Sequence, residues 1–136
     1  MSRQALIEAH DWFYNQRGFV WMSDIERLGK LEDWEILRGD EGPFYGDCED
    51  ACLTIMNRLL EYDVRSVIVR CATPLCPSNK PFDHAILAVV VDDRWYFSDN
   101  RFPRHPGASR LPGYRFYDHV TIENLRGKGK PELFKR

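Results

Sequence analysis

The chain has 136 residues, 43% of them hydrophobic and 13% aromatic, enough large side chains for one core that closes without metal or disulfide staples. Nineteen basic and 21 acidic residues give a formal net charge of -2, which excludes the positive footprint of a nucleic-acid binder. The longest apolar run, Ala85 to Val91, is far short of the roughly 20 residues that cross a bilayer, and the polar N-terminus with Glu8, His10 and Asp11 lacks a secretory leader's apolar region. The expectation is a single-domain (1-136), monomeric, cytoplasmic protein that engages neither nucleic acid nor membrane.

Ser2 to Arg17 sets Leu6, Ala9, His10 and Phe13 on one helical stripe and stops at Gly18. Ser23-Asp24-Ile25-Glu26 has the form of a capping box and predicts a short second helix to about Leu28. Trp34, Ile36 and Leu37 are scattered anchors, and the glycine-rich stretch Arg38 to Gly46 reads as a loop. From Cys48 to Tyr62, apolar residues at 48, 52, 55, 56, 59 and 60 define a helix with one core-facing stripe. Val64 to Cys71 is β-branched, with Val67, Val69 and Cys71 on one face of a strand.

A proline-bearing loop follows, Cys71 to Phe82. Then His84 to Val91 and Arg94 to Asp99 form a hairpin about the two-residue turn Asp92-Asp93. Arg101 to Gly113 is irregular, Tyr114 to Tyr117 is an aromatic strand, and 126-136 is a loose basic tail. Helices first and antiparallel strands afterwards predict an α+β domain with a central cysteine-bearing helix packed on the sheet.

The four cysteines form no C-x-x-C pair, which fits reduced thiols. Cys52 lies on the buried stripe and reads as a small apolar residue; Cys71 and Cys76 lack the partners of a metal site. Cys48 is different. Asp47 is a good N-cap and Asp50 completes a carboxylate version of the capping box, which puts Cys48 in the first helical turn, where the macrodipole favours a thiolate and unpaired amides can receive an oxyanion. A turn at Asp92-Asp93 sets Val91 opposite Arg94 and Ile86 opposite Asp99, so Asp99 stands diagonally beside His84 on one face. A one-residue slip would put it on the other. Thiol, imidazole and carboxylate then suit nucleophilic acyl transfer, with Asp99 orienting His84 and His84 taking the Cys48 proton. His10, His105 and His119 are competing bases, with His10 far upstream and His105 between prolines.

These residues resemble a family, the bacterial and phage transglutaminase-like cysteine proteinases of the papain-like superfold. The likeness lies in Gly46-Asp47-Cys48-Glu49-Asp50-Ala51, in His84 opening an apolar strand, in Asp99-Asn100 closing the next, in Asp33-Trp34-Glu35 ahead of the signature and in Tyr114-Arg115-Phe116 after it. It spans about Asp33 to Asp118. It implies a papain-like core and a catalytic triad of Cys48, His84 and Asp99. Asp92-Asp93 replaces a usual hairpin glycine, and Ser98 stands where an aliphatic residue is common.

The implied activity is a cysteine peptidase (hydrolase) acting on a peptide or isopeptide bond in a protein or peptide substrate, in the host cytoplasm if the protein is phage-encoded. Transfer to an amine, as in a transglutaminase or amidase, and a non-catalytic binding or inhibitory module are the alternatives. Asp47, Glu49 and Asp50 oppose a thiolate at Cys48, so either the helix start or a cation must offset them. No cofactor is required, but the resemblance implies possible Ca²⁺ at Asp47 and Glu49, with help from carbonyls, waters or Asp40. The loops supply candidate substrate-lining residues in Tyr45, Phe82, Phe102 and Arg104.

Overall fold

In the computed structural model, residues 2-23, 34, 36-38 and 42-127 are described. Helix α1 (Ser2–Asp11) runs on through a π-helical turn (Trp12–Gly18) into a short strand β1 (Phe19–Trp21). Strand β2 (Phe44–Gly46) leads to helix α2 (Cys48–Leu60), then β3 (Val67–Ala72), β4 (His84–Val91), β5 (Arg94–Ser98), β6 (Arg115–Val120) and the short helix α3 (Ile122–Gly127). Strands β1 and β2 pair in parallel, and the other four form an antiparallel sheet in the order β5-β4-β3-β6.

The stripe read from α1 is the buried one: Leu6, Ala9, His10 and Phe13 are all inside. On α2 the predicted positions 48, 52, 55, 56 and 59 are buried, whereas Leu60 is only half-buried. Ala51, Leu53 and Thr54 are also inside, because α2 is covered by α1 on one side and the sheet on another. The main core joins these helices to Ile68, Ala85, Leu87, Val89 and Val120 on the near face of the sheet. Each such aliphatic side chain contributes about 1.5–3 kcal/mol by leaving water. A smaller cluster on the far face holds Val69, Cys71, Ile86, Ala88 and Phe97, beneath Leu111 and Tyr114. Strand alternation, read from the sequence for Val67, Val69 and Cys71, therefore holds.

Several boundaries differ from the sequence reading. Helix α2 stops two residues before Tyr62, where Asp63 takes a left-handed conformation at φ 59° and the Val64 amide turns back to the Leu59 carbonyl. Strand β3 begins at Val67 rather than Val64. The stretch read as a loop up to Gly46 ends in β2, whose partner β1 lies far upstream, and parallel pairing across that distance leaves no local pattern. Tyr114 lies just before β6, which continues to Val120. Arg126 and Gly127, assigned to the tail, belong to α3, whose Ile122 and Leu125 are core residues. Thr121 and Asn124 exchange side-chain to backbone hydrogen bonds of 3.1 and 3.0 Å, a capping arrangement that starts α3. The predicted helix after Ser23 and residues 128-136 lie outside the described residues.

The helical layer is fixed to the end of β5 by a buried histidine. His10 is fully inaccessible, with Nδ1 2.6 Å from the Ser98 hydroxyl and Nε2 2.9 Å from the Pro103 carbonyl. A carbonyl only accepts, so Nε2 carries the proton and Nδ1 accepts from Ser98. The polar residue at 98 is explained by this bond. Burial lowers the His10 pKa, against the smaller raising effects of the Pro103 carbonyl, Asp11 and Asp99. The unfolded chain therefore takes up this proton first, so the His10 contribution to stability is full above pH 6.5 and is lost as pH falls toward the folded value. His10→Gln is expected to flatten the fall of the urea midpoint below pH 6.5. His10→Ala, which strands the Ser98 and Pro103 groups, should cost about 3 kcal/mol. An unchanged pH slope in His10→Gln would refute the assignment.

Candidate active site

Helix α2 starts where the sequence places it. The Asp47 carboxylate accepts from the Asp50 amide at 3.0 Å, and Asp50 returns a carboxylate to the Asp47 amide at 3.2 Å, a reciprocal capping box. Asp50 is fully buried, and a Cβ on Gly46 would come within 2.9 Å of its Oδ2 and 3.0 Å of Leu37 Cδ1, so the residue before Asp47 must be glycine. Cys48 is thus the first helical residue, held at 9% exposure. It faces the sheet at the first peptide unit of β4, where the Ala85 amide favours charge on its sulfur.

The hairpin supplies the other two groups. Val91 pairs with Arg94 and Leu87 with Ser98, the expected register, and Asp92 and Asp93 both adopt positive φ, 50° and 63°, as a two-residue turn of this type requires. Continued by one residue, that register brings Asp99 beside His84, and Nε2 lies 2.7 Å from Asp99 Oδ1. An ionised carboxylate only accepts, so Nε2 carries a proton and the neutral ring presents its lone pair at Nδ1. Both residues are buried, at 7% and 3% exposure. His84 is anchored from behind by Asp83, whose carboxylate takes the Thr73 amide at 2.8 Å and the Thr73 hydroxyl at 2.7 Å across the preceding loop.

Asp99 has further donors in the Arg101 amide, 3.0 Å from Oδ1, and the Tyr114 hydroxyl, 2.6 Å from Oδ2. Burial pushes its pKa up, but the His84 bond and charge, with Tyr114 and Arg101, outweigh burial and hold it below the ordinary carboxylate value. Tyr114 was legible in the sequence only as part of an aromatic strand; nothing local marks it as a partner of Asp99.

The thiol departs from the expectation. No hydrogen bond joins it to His84; it donates instead to Glu49 Oε2 at 3.2 Å. Its pKa is pushed well above the usual thiol value, first by burial, then by the negative charge of Glu49, by Cys52 and by the bond to Glu49, with the Ala85 amide opposing. The helix start alone does not make Cys48 a thiolate.

The other predicted residues fall into two groups. Tyr45 is exposed on β2, three residues ahead of Cys48, and Phe102 is partly exposed against Tyr114, with ring centroids 6.5 Å apart. Phe82 instead stacks on Tyr117 at 5.2 Å beneath the Arg70 guanidinium, while Arg104 is exposed on the loop after Asp99. Asp47 and Glu49 are engaged by the cap and the thiol, and among the described residues no three acidic, histidine or cysteine side chains converge as a metal site. Asp40 lies outside the described residues.

Two solved structures share this architecture. Calcium-bound LapG from Legionella pneumophila aligns with a TM-score of 0.55 and 18% identity over 88% of this chain and 65% of LapG, so this chain spans less than two-thirds of that protein's length. A second structure of LapG from the same organism gives a TM-score of 0.58 and 17% identity over 97% of this chain and 76% of that one. No protein-family model and no curated protein sequence matches the chain. The domain has an α+β, papain-like and transglutaminase-like fold.

Glu49 holds the thiol proton away from His84. Glu49→Gln should therefore speed iodoacetamide labelling of Cys48 at neutral pH by roughly several-fold, one pKa unit being about tenfold in thiolate. Mass mapping of the labelled thiols checks this, and an unchanged rate rules out Glu49 as the restraint.

Proposed function

We propose that this protein is a cysteine peptidase, a hydrolase that cleaves a peptide or isopeptide bond in a protein or peptide substrate through Cys48, His84 and Asp99. The observation that carries the reading is the buried His84–Asp99 hydrogen bond between the ends of two strands, the peptide unit after His84 being the one that acts on the Cys48 sulfur. LapG, a cysteine protease of the transglutaminase-like fold, supports it at the level of the fold.

The chemistry follows from the tautomer. The Cys48 thiol turns from Glu49 and passes its proton to His84 Nδ1 as sulfur attacks the acyl carbon; the imidazolium keeps its Nε2–H on Asp99. The negative oxygen of the tetrahedral intermediate is received at the α2 N-terminus, where the cap takes the Asp50 amide and leaves that of Cys48 as donor. The His84 proton then goes to the leaving amine. Water, deprotonated by His84, cleaves the thioester and restores the thiol. Tyr45, Phe102 and Arg104 are the proposed substrate contacts; Phe82, stacked under Arg70, is the least suited of the four.

One LapG structure is calcium-bound, and Asp47 and Glu49 are the residues that would have to hold the ion in this chain. Two carboxylates fall short of the six to eight oxygens calcium takes, and the described residues offer no third. The donors present do not fit the ion, and no step of the chemistry runs through it.

Cys76 is more exposed than Cys48, so simple accessibility would label it first. The proposed reading expects the reverse order under iodoacetamide, with His84→Ala abolishing the preference for Cys48; equal labelling would sink it. With a peptide substrate, an added primary amine separates hydrolysis from transfer, and hydrolysis is the expected product. Melting in excess calcium and in EDTA is expected to give the same midpoint. A calcium-dependent rise would overturn this expectation.

A further inference from the structure

We infer that Tyr114 is a positioning residue for the His84–Asp99 pair, an inference that rests on the reading of His84 as the base. A carboxylate turns about one bond, so a single donor on one oxygen does not fix its plane. Asp99 is fixed at both oxygens: Oδ1 receives His84 Nε2 at 2.7 Å and the Arg101 amide at 3.0 Å, while Oδ2 receives Tyr114 at 2.6 Å.

The direction of the Tyr114 bond is forced. Arg101 Nη1 lies 3.4 Å from the phenol oxygen and can only donate, and ionised Asp99 can only accept, so the phenol O–H donates to Asp99. A short O–H···O⁻ bond to an ionised carboxylate is among the stronger hydrogen bonds a protein makes. It aims Oδ1 at Nε2 and keeps the imidazole in the form whose Nδ1 can take a proton. The ring of Tyr114 also stands edge-on to His84, with centroids 6.2 Å apart and planes 79° apart.

The loop between β5 and β6 leaves and returns at the same carboxylate. Arg101, at its start, gives Asp99 a backbone amide, and Tyr114, at its end, gives a side-chain hydroxyl. Tyr114 is set by its own amide on the Leu111 carbonyl at 3.2 Å and by Gly113 at φ 81°, where a Cβ would strike Pro74 Cγ at 2.8 Å. The loop thereby acts as a clamp on the orienting carboxylate as well as a candidate substrate surface.

Tyr114→Phe keeps the ring and removes only the hydroxyl. Two readouts are needed: the ring ¹⁵N shifts of His84, which report its tautomer, and the rate of Cys48 labelling across pH. Loss of the hydroxyl is expected to turn a single neutral tautomer into a mixture and to slow labelling on the order of tenfold. Tyr62→Phe, which removes an exposed hydroxyl beyond the end of α2, should leave both near wild type. A wild-type tautomer and rate in Tyr114→Phe overturns the inference. If Cys48 in the wild type labels no faster than Cys76, the catalytic reading fails, while the His84 tautomer still decides what Tyr114 does.

Discussion

The register of the β4–β5 hairpin is the constraint on which the site depends. Two aspartates in left-handed conformations make the tight turn, and from there each strand pair is counted without a bulge to Leu87 and Ser98. Aspartate tolerates positive φ better than most residues because its short side chain can bond locally, yet the conformation still carries a cost that the flanking strands must offset. The far strand pair offsets it with Ala88, Val89 and Phe97 in the cores. Because side chains alternate every residue, the same register that buries Leu87 and Val89 against the helices sends Ile86, His84 and Asp99 to the other face. Hydrophobic burial thereby selects the pairing of His84 with Asp99.

The end of β5 is a polar structure inside a small core. Ser98 faces the helices and meets His10; Asp99, its neighbour, faces the far side and meets His84, Tyr114 and the Arg101 amide. Polar groups in such surroundings are costly when unpaired and rigid when paired, so the two networks locate the strand end from both sides. Precision in the Asp99–His84 contact comes from this support, since the chain turns into an irregular loop immediately afterwards. Thr73 and Asp83 do the same work at the entry to β4.

The thiol is placed less generously. Helix geometry and the Ala85 amide favour charge on sulfur, whereas burial, Glu49 and the neighbouring Cys52 disfavour it, and the second set prevails. A neutral thiol bonded to Glu49 is the resting arrangement, and its proton must move before the sulfur reacts as a thiolate.

Most of the architecture was legible along the chain, because α1, α2, β4 and β5 each carry a full period of apolar residues and a marked start or stop. The capping box at Asp47, the turn at Asp92-Asp93 and the side-by-side placement of His84 and Asp99 all follow from spacing alone. What is short or non-local was not legible: β1 with β2, three residues each and far apart, and α3, six residues long, which turns Ile122 and Leu125 inward. Tertiary structure alone decided that Ser98 serves His10, that Phe82 joins Arg70 and Tyr117, that the Cys48 thiol donates to Glu49 and that Tyr114 reaches Asp99. Each of these is a meeting of side chains from different elements, whose directions are fixed only when the layers pack. Local periodicity states which face a residue occupies; it does not state what stands opposite.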